Sequence, residues 1–77
     1  MSAVTVRAFA RYRDLLGFDT AALPLPEPPT LGRLLEHPCL ATLPREALLA
    51  VNRTFAEPST GIADGDEVAL MPPVSGG

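Results

Sequence analysis

Asp64-Gly65-Asp66-Glu67-Val68-Ala69-Leu70-Met71 reads as a turn that opens directly into a strand. Asp-Gly-Asp brings together residue types that tolerate turn backbone, so it is a strong turn signal. In the strand that follows, successive side chains point to opposite faces. Val68 and Leu70 therefore share one face, and Ala69 and Met71 share the other. Met71 either joins an outward apolar patch or is covered by a loop.

The segments just upstream fit a hairpin. Residues 46–51 read as a strand and residues 54–57 as its short returning partner. Asn52-Arg53 stands at the turn between them, since Asn tolerates positive φ. Residues 58–63 read as a loop with one helical turn.

At the other end of the chain, residues 3–10 alternate as a half-buried strand does, with Val4, Val6 and Ala8 on one face and Thr5, Arg7 and Phe9 on the other. Phe9 is either covered by a helix or exposed to a partner. Tyr12, Leu15 and Leu16 stand at helical spacing and Gly17 sits where a C-terminal cap belongs, which predicts a short helix over 11–16. Arg11 and Arg13 point away from that stripe into solvent. Residues 18–25 form a weaker strand. Pro24, Pro26, Pro28 and Pro29 break regular pairing, as suits an edge strand followed by a crossover loop. Thr30 can cap a second helix whose buried stripe is Leu31, Leu34 and Leu35. Gly32 weakens that helix and Pro38 ends it. Residues 39–44 read as a loop or short turn. His37 and Cys39 make only two candidate ligands without a second pair, so the reading is helix-end and core residues, with no metal.

The element order is strand, helix, strand, helix, strand, strand, strand. It predicts an α+β fold, a β-grasp with a mixed sheet of about five strands, one main helix and a short second helix. In that arrangement the first and last strands run parallel at the centre and a helix crosses one face.

Composition narrows the function. The chain has 77 residues, 47% hydrophobic and 19% charged, which fits one folded domain and argues against disorder. No run of about 18 apolar residues exists, so no membrane span is expected. Arg7 interrupts the first apolar run, so no secretory signal is read there. The single cysteine, Cys39, cannot form an internal disulfide, and a reducing cytoplasm is the expected location. The net charge is −3 and the six basic residues are scattered arginines, which argues against nucleic-acid binding. Lysine is absent, which removes Schiff-base and P-loop chemistry as well as any side-chain amine for self-conjugation.

The chain shows no catalytic constellation, and it ends in Pro72-Pro73-Val74-Ser75-Gly76-Gly77. The prolines favour extended backbone and cannot donate ladder hydrogen bonds, while the glycines remove every side chain from the tip. The expected division is a folded body over residues 1–71 and an extended arm over 72–77. Such an arm reaches at most about 20 Å. It can enter a narrow channel where any Cβ would clash. The plainer alternative is a frayed terminus.

Ala50-Val51-Asn52-Arg53-Thr54, Asp64-Gly65-Asp66-Glu67-Val68-Ala69 and the Pro-Pro-Val-Ser-Gly-Gly ending together resemble the small, sulfur-carrying subunits of molybdopterin synthase. Phe9-Ala10-Arg11-Tyr12-Arg13-Asp14-Leu15-Leu16-Gly17 is similar to that family's entry from strand to helix. The combination is specific where each motif alone is not, and the likeness is weakest over residues 18–45.

The resemblance implies a ubiquitin-like β-grasp. It also implies that the Gly77 carboxylate is adenylated by an E1-like adenylyltransferase that uses ATP, this chain holding no cofactor of its own. The carboxylate then becomes a thiocarboxylate and gives its sulfur to precursor Z on a large synthase subunit, in a complex of two large and two small subunits. The catalytic groups are expected on the partners. Gly76 and Gly77 carry the reaction, Pro72, Pro73, Val74 and Ser75 position the arm, and Phe9 and Met71 are docking candidates. Related carriers for thiazole or cysteine synthesis or tRNA thiolation share the tail, as do ubiquitin-like modifiers, and a β-grasp interaction domain with an inert tail is the remaining alternative.

Overall fold

A computed structural model describes residues 2–73. The elements run β1 (Ala3–Ala8), α1 (Arg11–Leu16), β2 (Thr20–Pro24), α2 (Leu31–Leu34), a 3-10 turn (Pro38–Leu40), β3 (Leu48–Val51), β4 (Thr54–Ala56) and β5 (Glu67–Met71). One five-stranded sheet has the order β2-β1-β5-β3-β4. β1 and β5 are parallel neighbours at its centre, and the other pairs are antiparallel. This is the mixed sheet of the β-grasp, with both helices against one face.

The alternation read in the sequence decides which face is buried. Val4, Val6 and Ala8 of β1, Leu23 of β2, Leu49 of β3 and Val68 and Leu70 of β5 form the inner face. Tyr12, Leu31, Leu34, Leu40 and Ile62 cover it. The described core contains no charged side chain, so its cohesion comes from apolar area removed from water. The Tyr12 hydroxyl is buried without a hydrogen-bond partner among the described residues, which costs on the order of 1–3 kcal/mol.

Local chemistry explains where the elements stop. Gly17 takes left-handed backbone (φ 84°) and donates its N–H to the Arg13 carbonyl, closing α1. The Thr30 hydroxyl accepts from the Arg33 N–H and caps α2 as expected. The helix it starts is a single turn, shorter than the stripe suggested, and Leu35 lies beyond it, half-buried against the core. Past Leu34 the chain tightens into shorter-range bonds, Glu36 donating to the Arg33 carbonyl and His37 to the Leu34 carbonyl, before Pro38. Gly32 donates to the Pro58 carbonyl at 2.8 Å, and a Cβ at Gly32 would stand 3.1 Å from that oxygen. The glycine that weakens the helix is the residue that lets the 58–61 segment lie against it.

Other boundaries shift. Leu15 is exposed at 46%, so the buried side of α1 rests on Tyr12 with Leu16 at its margin. β3 begins at Leu48 instead of 46, since residues 44–47 form a turn in which Ala47 donates to the Pro44 carbonyl. Residues 58–63 hold a turn and an isolated bridge between Gly61 and Thr30, with no helical turn. His37 caps the 3-10 turn, its Nδ1 accepting from the Cys39 N–H at 3.0 Å.

Candidate functional site

The central parallel pair fixes where the tail leaves. β5 ends at Met71, whose Cα pairs with Leu48 at the start of β3. On its other side the Phe9 N–H donates to the Leu70 carbonyl at 3.1 Å. Pro72 and Pro73 therefore depart from the middle of the sheet, between the end of β1 and the start of β3. Of the remaining tail candidates, Val74, Ser75, Gly76 and Gly77 lie outside the described residues.

Phe9 and Met71 stand on the outer face of the sheet. Phe9 is 37% exposed, with the Arg7 guanidinium 5.4 Å from its ring centroid. Met71 is half-buried beside it, and both line one shallow cavity of about 260 Å³. The structure thus exposes Phe9 instead of covering it with a helix. It leaves Met71 on the outer face instead of under a loop. The corner after Phe9 is strained: Ala10 has φ 54° and ψ −134°, backbone that L-residues seldom adopt.

Register brings further residues to this face. Arg7 pairs with Ala69, Ala69 with Ala50, and Ala50 with Phe55, one continuous row across β1, β5, β3 and β4. The two central members are alanines, so the row dips in its middle. Phe55 rises at one end, 75% exposed, while Ala50 lies low at 5%. Glu67 and Arg53 border the cavity as well. The Arg7 guanidinium reaches Glu67 at 3.5 Å, whereas Arg53 makes no ion pair among the described residues. Sequence reading missed Phe55, Ala50 and Arg53 here. Phe55 carried a signal, a large apolar residue in a short hairpin strand, but its neighbours come from register across four strands.

At the opposite end of the sheet the hairpin and the β5 entry are tied together. Asn52 and Arg53 have positive φ (50° and 71°), as a two-residue hairpin of the primed type requires. The Asn52 amide donates from Nδ2 to Asp66 Oδ1 at 3.0 Å, and its Oδ1 accepts from the Glu67 N–H at 2.9 Å. Asp66 Oδ2 accepts from the Ala63 N–H, and Asp64 Oδ1 from the Ala3 N–H, each at 2.8 Å. Gly65 (φ 87°) donates to the Ala3 carbonyl. These residues set the register of β5 and hence the point at which the tail emerges. They are positioning residues, with no reacting group among them.

Among the described residues no group of three or more His, Cys, Asp or Glu side chains could hold a metal ion, and no helix is long and apolar enough to cross a membrane.

Comparison with known proteins agrees with this geometry. The molybdopterin synthase sulfur carrier subunit of Escherichia coli (strain K12) is 36% identical, over 96% of this chain and 99% of that protein. A Pyrococcus furiosus protein provisionally assigned as molybdopterin converting factor subunit 1 superposes with a TM-score of 0.83 at 28% identity, over 96% of this chain and all of that one. A chain from the complex of subunits 1 and 2 of molybdopterin-converting factor from Helicobacter pylori 26695 superposes with a TM-score of 0.67 at 25% identity, covering 97% of this chain and 99% of that one. The ThiS family matches residues 6–77. On that match, and on likeness carried along nearly the whole length of its relatives, the chain belongs to the ThiS family.

Proposed function

We propose that this protein is the sulfur carrier of a molybdopterin synthase, and that its reactive group is the carboxylate of Gly77. The observation that carries this reading is the full-length likeness to molybdopterin synthase sulfur carrier subunits, joined to a tail that leaves from the centre of the sheet. A carboxylate has a pKa near 3.5, so at neutral pH it is an anion and a poor electrophile. Attack of its oxygen on the α-phosphorus of ATP, with pyrophosphate leaving, gives an acyl-adenylate. Hydrosulfide from the sulfur donor then attacks the acyl carbon, AMP leaves, and loss of the proton gives the thiocarboxylate, itself a nucleophile. Two such sulfurs delivered to precursor Z build the dithiolene of molybdopterin.

This chain supplies a tethered reagent. Tethering raises the effective concentration of the sulfur in a partner's site. Gly76 and Gly77 would pass a channel that excludes side chains, and Pro72 and Pro73 would stiffen the arm, with Val74 and Ser75 following. Phe9 and Met71 would take part in docking. ATP, the E1-like adenylyltransferase and the large synthase subunit belong to the partners, with a heterotetramer as the working assembly. Pairing of subunits 1 and 2 in the Helicobacter pylori complex supports the large-subunit partner. The unpaired Cys39 and the need for ATP favour the cytoplasm.

The test is an intact-mass measurement after incubation with the activating enzyme, ATP and a sulfur donor. The expected result is replacement of one oxygen by sulfur at Gly77, and an unchanged mass would refute the carrier reading. Deleting Gly77 is expected to abolish sulfur transfer without lowering the thermal midpoint; transfer that persists would exclude Gly77 as the carrier of sulfur.

A further inference from the structure

The sheet has two edges, and they are guarded differently. β4 is three residues long, with Arg53 and Glu57 standing at its two ends. Shortness and flanking charge both discourage the addition of another strand. β2 is five residues long and carries no charged side chain from Thr20 to Pro24. Its neighbour β1 fixes which backbone groups β2 leaves open. The Ala8 N–H donates to the Asp19 carbonyl at 2.9 Å, and the Leu25 N–H to the Ser2 carbonyl at 3.1 Å. Backbone groups alternate sides along a strand, so residues 19, 21, 23 and 25 face β1. Thr20 and Ala22 turn both N–H and C=O to the open edge, with no partner among the described residues. Their side chains are short and exposed, so a second strand can approach to about 4.8 Å.

The open groups are self-complementary. In an antiparallel pair centred on Ala21, Thr20 of one copy stands opposite Ala22 of the other. Each such pair exchanges both of its backbone bonds, and the two-fold axis repeats the pair, so every open group of Thr20 and Ala22 is satisfied. Pro24 falls opposite Phe18 at the end of the pairing, where its missing N–H breaks none of these bonds. Asp19 falls opposite Leu23, so no like charges meet.

We propose that β2 is a homotypic interface, through which two copies of this chain pair antiparallel about Ala21 into one continuous sheet. The inference is independent of the sulfur-carrier reading. Two five-residue strands bury far less than the roughly 1,200–2,000 Å² of stable complexes. The pair is therefore transient, with a Kd on the order of 0.1–1 mM. It leaves the tail accessible, because β1 stands between β2 and β5. The two-fold axis sends the two tails out of opposite ends of the joined sheet.

The test is sedimentation and amide spectra of the full-length chain, from well below that Kd to well above it. The expected result is a monomer–dimer equilibrium in which the Thr20 and Ala22 amides shift most. Ala22→Lys puts a guard on the edge and is expected to raise Kd about tenfold or more. Phe55→Lys makes the same change of net charge at the other edge and is expected to leave Kd at the wild-type value. Amide spectra that match wild type away from residue 22 certify the fold of Ala22→Lys. For the register, Ala21→Cys in a Cys39→Ser background is expected to cross-link on mild oxidation. Residues opposite each other in a non-hydrogen-bonded pair stand about 4.5 Å apart at Cα, within disulfide range.

A chain that stays monomeric across the whole range would overturn the proposal. So would a dimer that Ala22→Lys leaves intact, since the contact would then lie off β2. Equal weakening in Phe55→Lys would reduce the effect to net charge and overturn it as well. A persistent dimer that Ala21→Cys fails to cross-link would overturn the register.

Discussion

The two faces of the one sheet are built from alternate residues of the same strands, yet they follow different rules. On the inner face, Val6, Val68 and Leu70 are each fully buried, and the cluster around them is apolar but for the Tyr12 hydroxyl. On the outer face the row Arg7, Ala69, Ala50 and Phe55 mixes a cation, two small residues and an exposed aromatic ring. Inner-face residues are chosen for filling volume. The outer row leaves volume empty and keeps charge near it. Filled and unfilled volume are thus separated by the two-residue period of a strand.

Substitutions can break or sharpen that contrast. The largest effect is expected from Leu70→Ala, which removes a fully buried side chain from the central strand. It is expected to cost about 3 kcal/mol, read as a shift of the denaturant midpoint at constant slope. A loss below about 1 kcal/mol would contradict the assignment of the inner face as the source of stability. Gly32→Ala comes next. Helix propensity alone would favour alanine by about 1 kcal/mol. The added Cβ would meet Pro58 backbone at 3.1 Å, so a net destabilisation of about 1–2 kcal/mol is expected by the same assay. A gain would mean that the 58–61 segment yields easily.

Tyr12→Phe removes the buried, unpartnered hydroxyl and is expected to raise stability by up to about 1 kcal/mol. Thermal unfolding of the two proteins decides it, and a clear loss would reveal a partner for that oxygen. The smallest change in stability belongs to Phe55→Ala on the outer face, within about 0.5 kcal/mol of wild type. Its affinity for the large subunit is nevertheless expected to drop. A Phe55→Ala protein that unfolds early but binds normally would reverse the roles of the two faces.

Much of this contrast could be read along the chain. The alternation in residues 3–8 and 67–71 identified both central strands because their pattern is local and strictly two-residue. Gly17, Thr30, Asn52 and Gly65 marked ends and turns because each answers a backbone requirement at its own position. Phe9 and Met71 were placed on one face by parity alone. What escaped the sequence depends on distant residues. Gly32 looked like a weakness because Pro58, which explains it, is far along the chain. Leu15 fitted a helical stripe, yet α1 is too short to lay all of that stripe on the sheet. The dip in the outer face was invisible because Arg7, Ala69, Ala50 and Phe55 meet only once three strand registers are known. Ala50 and Ala69 are individually unremarkable, and their meaning is their adjacency.

The central placement of β5 also has a mechanical consequence. It is bonded on one side to β1, running parallel, and on the other to β3, and it is anchored at its start by the Asn52–Asp66 knot. A pull on the tail acts along the axis of β5, so both ladders are loaded in shear and must yield together. A tail attached to an edge strand would instead peel, one bond at a time. The body can therefore stay folded under a load applied to the arm. Single-molecule pulling between Thr54 and Gly77, compared with pulling between Thr20 and Thr54, is expected to need the larger force in the first geometry.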